Sequence, residues 1–288
     1  MSALWQNIQQ KMLRSGSRIS LLIGINVLVF LIVYVPATLE KYIFKHSILE
    51  AYADDYLRMP SYLPQLLTRF WTPITYMFMH AGIFHILFNM LWLYWLGQIF
   101  EEYLGKKRIV GVYLLGGLTG ALFFVLAYNT LPLFTDVVNG STVVGASASV
   151  MAIVIATATL LPDYSISLMF IGPVKLKWIA IFYLIIDFLG TAGPNAGGEF
   201  AHLGGALFGF IYIKQLQRGH DWVGGIAKIF RSRSKLKVVS TNANKNPDAQ
   251  PRQEEIDRIL DKISKSGYES LNKQEKEILF RASKDNEG

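Results

Sequence analysis

Residues 143–161 read VVGASASVMAIVIATATLL, nineteen residues without a charge and opened by small side chains. A helix needs about 20 apolar residues to cross a bilayer core, so this run predicts a membrane span. Working outward, five further runs of similar character lie at 19–35, 83–100, 109–128, 174–189 and 200–215. The alternative is six buried helices of a soluble protein. Six such runs within about 200 residues, with few charges between them, favour the membrane.

Composition agrees. Of 288 residues, 52% are hydrophobic and 17% charged, against roughly 25% charged in soluble domains. Apolar surface is too abundant for a disordered chain. The absence of cysteine excludes a disulfide scaffold, thiol catalysis and thiolate metal sites. The net charge of +7 suits an anionic lipid face better than nucleic acid, which is not expected as a partner.

Basic residues set the orientation, because cytoplasmic loops collect Lys and Arg. Lys11, Arg14 and Arg18 precede the first span, and Lys106, Lys107 and Arg108 separate the second from the third. Lys175 and Lys177 lie between the fourth and fifth, and a basic run from Lys214 to Lys237 follows the sixth. The segments between spans three and four and between five and six carry no Lys or Arg. Both termini are therefore expected on the cytoplasmic side of the cell (inner) membrane, in a multi-pass protein. The first run has no plausible cleavage site and is followed by more spans, so it reads as a span rather than a signal peptide.

Four segments are expected. Residues 1–17 form a cytosolic or interfacial piece in which Leu4, Trp5, Ile8 and Met12 share one helical face. Residues 18–217 form the six-span domain, 218–250 a polar linker, and 251–288 a small cytosolic helical hairpin. In the hairpin Ile256, Ile259, Leu260 and Ile263 share a face, Gly267 stops the first helix, and Asn272 with Glu275 forms a capping box. The long segment 36–82 holds Pro60, Pro64 and Pro73 among aromatic residues, which fits a lip resting on the membrane surface.

Polar groups inside spans are costly and mark function by default. Ser147 sits in Gly145-Ala146-Ser147-Ala148-Ser149, where the fourth span enters from outside. A helix N-terminus there offers free N–H groups and a positive dipole end. The bland alternative is that small residues and serines are packing positions. His202 begins the sixth span at a similar depth, above the Gly205-x-x-x-Gly209 stripe that brings helices close. A glycine-lined contact would bring imidazole and hydroxyl together as base and nucleophile. Alone, an intramembrane His is more often a hydrogen-bonded structural group. His85 and Asn89, four apart, stack on one face of the second span and can both donate to an oxyanion. His80 lies off that face, at the loop edge, and reads as structural support. Independent packing roles would not need three spans to carry polar groups at one depth.

These residues resemble the rhomboid family of intramembrane serine proteases. The matching pieces are His80-x-x-x-x-His85-x-x-x-Asn89, Gly145-x-Ser147, and Ala201-His202-x-x-Gly205 with Gly209. The resemblance covers roughly residues 15–215 by order and spacing. It implies an all-α, six-transmembrane-helix bundle that cleaves transmembrane segments of membrane proteins near the outer face. It also implies a Ser147–His202 dyad, with His85, Asn89 and the Ser147 backbone N–H as oxyanion hole. Gly145, Gly205 and Gly209 join His80 as structural support. The implied partners are transmembrane protein substrates and the lipid bilayer. A metal site on His80, His85 and His202 is not expected, because there is no H-E-x-x-H and no partnered carboxylate at good spacing, and no cofactor is expected. Asp187 reads as an interfacial carboxylate or a helix–helix hydrogen bond, and the dyad leaves it out. Ser149, two positions on, points to a different side of the helix from Ser147. The chain departs from the family pattern at Thr72 after Trp71, at Ala148 after the serine, and at Met151 one turn below it. The alternative from another class is a catalytically inactive rhomboid-like binding protein.

Overall fold

A computed structural model describes residues 17–168, 171–224 and 253–284. The amphipathic face expected at residues 2–13 and most of the expected linker lie outside the described residues. The chain divides into two units, 1–231 and 232–288.

The first unit is mostly helical. Its long helices are α1 (Arg18–Phe44), α4 (Ile83–Leu104), α5 (Lys106–Thr130), α6 (Ser147–Leu160), α7 (Leu176–Gly190) and α8 (Ala196–Gln217). Between α1 and α4 run α2 (Ile48–Tyr56) and α3 (Leu63–Thr68). Two small antiparallel ladders depart from an all-helical expectation. In one, β1 (Met59–Pro60) pairs with β2 (Thr142–Val143); in the other, β3 (Ser165–Leu168) pairs with β4 (Gly172–Lys175). Strands of two to four residues are too short to show a readable alternation.

Helix bounds also differ from the apolar runs. α1 continues past residue 35 to Phe44, with Pro36 inside it. Val174 lies in β4, so α7 starts at Leu176. There Lys177 and Lys175 hold the Asp163 carboxyl down to about 2. α8 begins at Ala196, because its first turn is Ala-Gly-Gly-Glu and carries no hydropathy signal.

Three described helices are long and apolar enough to cross a membrane: Arg18–Phe44, Ile83–Leu104 and Lys106–Thr130. α6 has only 14 residues, about 21 Å at 1.5 Å per residue. Its surroundings are protein: every residue from Ala148 to Ala158 is buried. Other helices also turn large apolar side chains outward. Leu28, Ile32, Phe84, Phe88, Phe182 and Phe188 are all more than half exposed, as lipid-facing residues would be.

Glycines let the other helices reach α6. A Cβ at Gly205 would lie 2.1 Å from the Ala148 carbonyl oxygen, and one at Gly209 2.2 Å from that of Ala152. From α5, a Cβ at Gly116 would meet the Ala152 Cβ at 2.3 Å, and one at Gly120 the Ala148 Cβ at 2.6 Å. Backbones in contact at these positions gain dispersion that larger side chains would block.

Several loops are fastened around the start of α6. Besides the β1–β2 pair, Ser61 Oγ donates to Val138 O at 2.6 Å, and Asn129 Nδ2 donates to Ser61 O at 2.8 Å. Tyr76 Oη donates to Gly117 O at 2.5 Å, while the Gly145 N–H donates to Tyr76 O at 3.0 Å. Loop 36–82 makes its own ties. Arg69 holds both Asp55 oxygens and lies 4.6 Å over the Tyr56 ring, and Trp71 Nε1 donates to Tyr56 O at 2.8 Å. Thr72 Oγ1 donates to Arg69 O at 2.8 Å.

The second unit contains α9 (Gln253–Ser266) and α10 (Lys273–Lys284). Gly267 follows α9 at φ 77°. The Asn272 N–H donates to Glu275 at 2.8 Å and the Glu275 N–H donates to Asn272 Oδ1 at 2.9 Å, a reciprocal capping box. Lys262 reaches from α9 to Glu275 at 2.8 Å and lowers that carboxyl from its ordinary value.

Gly209→Ala is expected to destabilise the first unit by about 1–3 kcal/mol through overpacking. Gly140→Ala, where an added Cβ meets nothing within 4 Å, should leave it unchanged. Denaturation midpoints in detergent read the difference.

Candidate active site

Ser147, His85, Asn89 and His202 line one cavity of about 450 Å³. Ser147 comes from the N-terminus of α6, and the others from the first two turns of α4 and α8. Ser147 is the first residue of α6, preceded by Ala146 with no side-chain cap. The first backbone N–H groups of a helix have no intrahelical acceptor, so this end offers donors and a positive dipole. Gly145, at φ 129°, makes the turn into the helix. A Cβ there would lie 2.8 Å from the His85 Nε2 and 3.3 Å from the Ser147 Oγ. The imidazole and the hydroxyl thus close over the same bare Cα.

The hydrogen bonds around His85 indicate which nitrogen carries its proton. The Ala81 N–H donates to His85 Nδ1 at 3.4 Å, a long bond. A nitrogen that accepts has no hydrogen, so in the neutral ring the N–H is at Nε2. That is the atom beside Gly145 and Ser147. Asn89 Nδ2 donates one hydrogen to His85 O at 2.9 Å. Its second amide hydrogen is left for a ligand in the cavity.

His202 presents its Nδ1 to two carboxylates. Asp187 Oδ1, from α7, lies at 3.0 Å and Glu199 Oε2, one turn earlier on α8, at 3.4 Å. Asp187 is 4% exposed and its Oδ2 meets no partner among the described residues. Glu199 also accepts from Asn195 Nδ2 at 3.0 Å and sits in the first turn of α8. With Nδ1 engaged, Nε2 is the nitrogen left for the cavity. Among the described residues no hydrogen bond joins the Ser147 hydroxyl to His202. Met151, below Ser147, lines the same cavity.

The other singled-out residues lie elsewhere. Ser149 is fully buried and faces α5: a Cβ at Gly117 would lie 2.5 Å from its Oγ. His80 is buried and packs edge-on against His85, ring centroids 5.2 Å apart. It also lines a separate cavity of about 340 Å³ between α1 and α2. Gly205 and Gly209 touch the α6 backbone and not the cavity.

The sequence reading missed Glu199 and set Asp187 aside. The signal for Glu199 was its place three residues before His202, one helical turn away. Asp187 is indeed a helix–helix hydrogen bond, and its partner is the imidazole. Asp187, Glu199 and His202 place one ligand atom each within 4.8 Å of one another, a donor set that would also suit a divalent cation.

Residues 67–218 match the Rhomboid domain family, and residues 241–285 match a family of unknown function, DUF6576. The chain is 31% identical over 160 residues to RHOMBOID-like protein 12, mitochondrial, of Arabidopsis thaliana, covering 52% of this chain and 48% of that protein. It is 30% identical over 152 residues to the presenilin-associated rhomboid-like protein, mitochondrial, of Mus musculus, covering 51% and 37%. It is also 32% identical over 82 residues to Inactive RHOMBOID-like protein 8 of Arabidopsis thaliana, covering 28% and 23%. The chain thus spans less than half the length of each of these relatives.

Gly145→Ala is expected to push the His85 ring away and strain the turn. The rate at which a fluorophosphonate probe labels the protein should then fall at least about tenfold, a loss of roughly 1.4 kcal/mol of transition-state stabilisation.

Proposed function

The chain belongs to the rhomboid family, a multi-pass membrane protein, and on that premise we propose that it is an intramembrane serine endopeptidase. The observation that carries the reading is the shared cavity: a serine at a helix N-terminus, two candidate oxyanion donors and a histidine whose far nitrogen is engaged by carboxylates. In this reading α1, α4, α5, α6, α7 and α8 are the six crossings. Both termini face the cytoplasm, with Ser147 just below the outer surface. The 18–217 domain holds the site, and 251–288 is a cytosolic helical hairpin.

Ser147 Oγ attacks the carbonyl carbon of a peptide bond in a substrate's transmembrane segment. His202 Nε2 takes the hydroxyl proton, and the carbonyl oxygen becomes an oxyanion. His85 Nε2–H, the free Asn89 amide hydrogen and the Ser147 backbone N–H receive that charge. Such donors contribute about 10²–10³ in rate each, because they are aimed before the charge develops. The C–N bond breaks as His202 returns the proton to the leaving amine, and the acyl group stays on Ser147 as an ester. Water, giving its proton to His202, attacks the ester; as the C–O bond to Ser147 breaks, His202 returns that proton to the Ser147 Oγ and the acid is released. A helical substrate hides its carbonyls in i→i−4 bonds, so preferred segments carry small or helix-weakening residues near the outer face.

The second reading is a binding protein without catalysis, favoured by the relative named as inactive. Such a protein would be expected to lose the serine or the histidine, and this chain has both.

Fluorophosphonate labelling and cleavage of a reconstituted transmembrane substrate separate the two readings. Wild type should label and cleave. Ser147→Ala and His202→Ala should do neither, and Ser149→Ala should do both. Asn89→Ala should lower the cleavage rate by about 10²–10³. Loss of activity in Ser149→Ala alone reassigns the nucleophile, and an inert wild type favours the binding protein.

A further inference from the structure

We infer that Asp187 is a positioning residue that holds His202 in the tautomer able to take a proton from Ser147. The inference rests on the peptidase reading and goes beyond its two-residue dyad.

A neutral imidazole has one N–H and one lone pair, and it can act as base toward Ser147 only if the lone pair is on Nε2. A carboxylate that accepts from Nδ1–H enforces that arrangement and limits rotation of the ring. Asp187 is placed to do so. Its Oδ1 is 3.0 Å from His202 Nδ1, and it stands on α7, so the ring is anchored from a different helix.

Packing does not account for this carboxylate. Asp187 is 4% exposed, and its Oδ2 meets no hydrogen-bond donor among the described residues. An ionisable group at such depth costs free energy that an apolar residue would not. Among the described residues the donor it meets is His202 Nδ1, with the Glu199 carboxyl beside it. Glu199 is the weaker candidate. Its Oε2 is 3.4 Å from Nδ1, its Oε1 is occupied by Asn195, and its place in the first turn of α8 is favoured by the helix dipole. In this role Asp187 accepts the Nδ1 hydrogen bond and takes no proton from the ring. The proton travels from Ser147 Oγ to His202 Nε2 and on to the leaving amine, while the Nδ1 hydrogen stays where it is.

The test separates this role from a helix-bridging one by comparing Asp187→Asn with Asp187→Ala in the full chain, reconstituted in vesicles. Asn has the shape of Asp but can donate to Nδ1, which moves the ring hydrogen to Nε2. A positioning role therefore makes Asn at least as damaging as Ala. Asp187→Asn is expected to lower kcat and the fluorophosphonate labelling rate by roughly 10²–10⁴, as loss of the orienting carboxylate does in serine protease triads. KM and the denaturation midpoint should stay near wild type. A bridging role predicts the reverse order: Asn near wild type, and Ala losing activity in step with its midpoint. That order overturns the inference while leaving the peptidase reading intact. A wild type that neither labels nor cleaves overturns both. The ¹⁵N spectrum of histidine-labelled wild type provides a check that needs no folded variant at Asp187. The His202 signals, identified by their loss in His202→Ala, should show a protonated Nδ1. A neutral ring protonated at Nε2 contradicts the inference.

Discussion

Close contact between backbones is the constraint on which the rest of this structure depends. Inside a bilayer, apolar side chains gain little by leaving lipid for protein, so helices associate through dispersion and hydrogen bonds over short distances. α6 is built for such contact, with alanines at 148, 152, 156 and 158. Gly116 and Gly120 meet it from α5, and Gly205 and Gly209 from α8. α6 can therefore be short, because its ends are solvated by protein and loop rather than by lipid. The same stripes fix how far α8 sits from α6. That distance decides whether an imidazole on one can serve a hydroxyl on the other.

Sideways packing alone would leave the height of α6 free. Height is set by the loops tied around its first turn. β1 pairs with β2 four residues before Ser147, and Tyr76 links Gly145 on one side to Gly117 on the other. The left-handed turn at Gly145 then starts the helix with Ser147 as its first residue. One glycine thereby combines a sharp entry, free N–H groups at the serine and room for the His85 ring. Burying a histidine with two carboxylates has an opposite cost, which a purely structural helix would avoid. Stability and reactivity pull against each other at this point of the fold.

Much of this was legible in the sequence, for identifiable reasons. Apolar runs reveal spans because hydropathy is a property of residue type alone. His85, Asn89, Ser147 and His202 stood out because polar groups are rare at membrane depth. Their spacing to Gly145, Gly205 and Gly209 carried the resemblance. Hydropathy fails where polarity and helix formation part company. The Ala-Gly-Gly-Glu start of α8 has no apolar signal, and the stretch of α1 beyond Pro36 reads as loop. The β3–β4 ladder is too short for a period. The pairing of Asp187 with His202 spans fifteen positions and two helices. No local pattern encodes it, because only the packing of α7 on α8 brings the two together.

The most direct measurement is an experimental structure of the protein after reaction with a fluorophosphonate, in lipid. The account predicts phosphorus bonded to the Ser147 Oγ. The phosphoryl oxygen should lie about 3 Å from His85 Nε2, the Asn89 amide and the Ser147 N–H, with His202 Nε2 facing the ester oxygen. Phosphorus on any other residue, or a phosphoryl oxygen turned away from those donors, would contradict it.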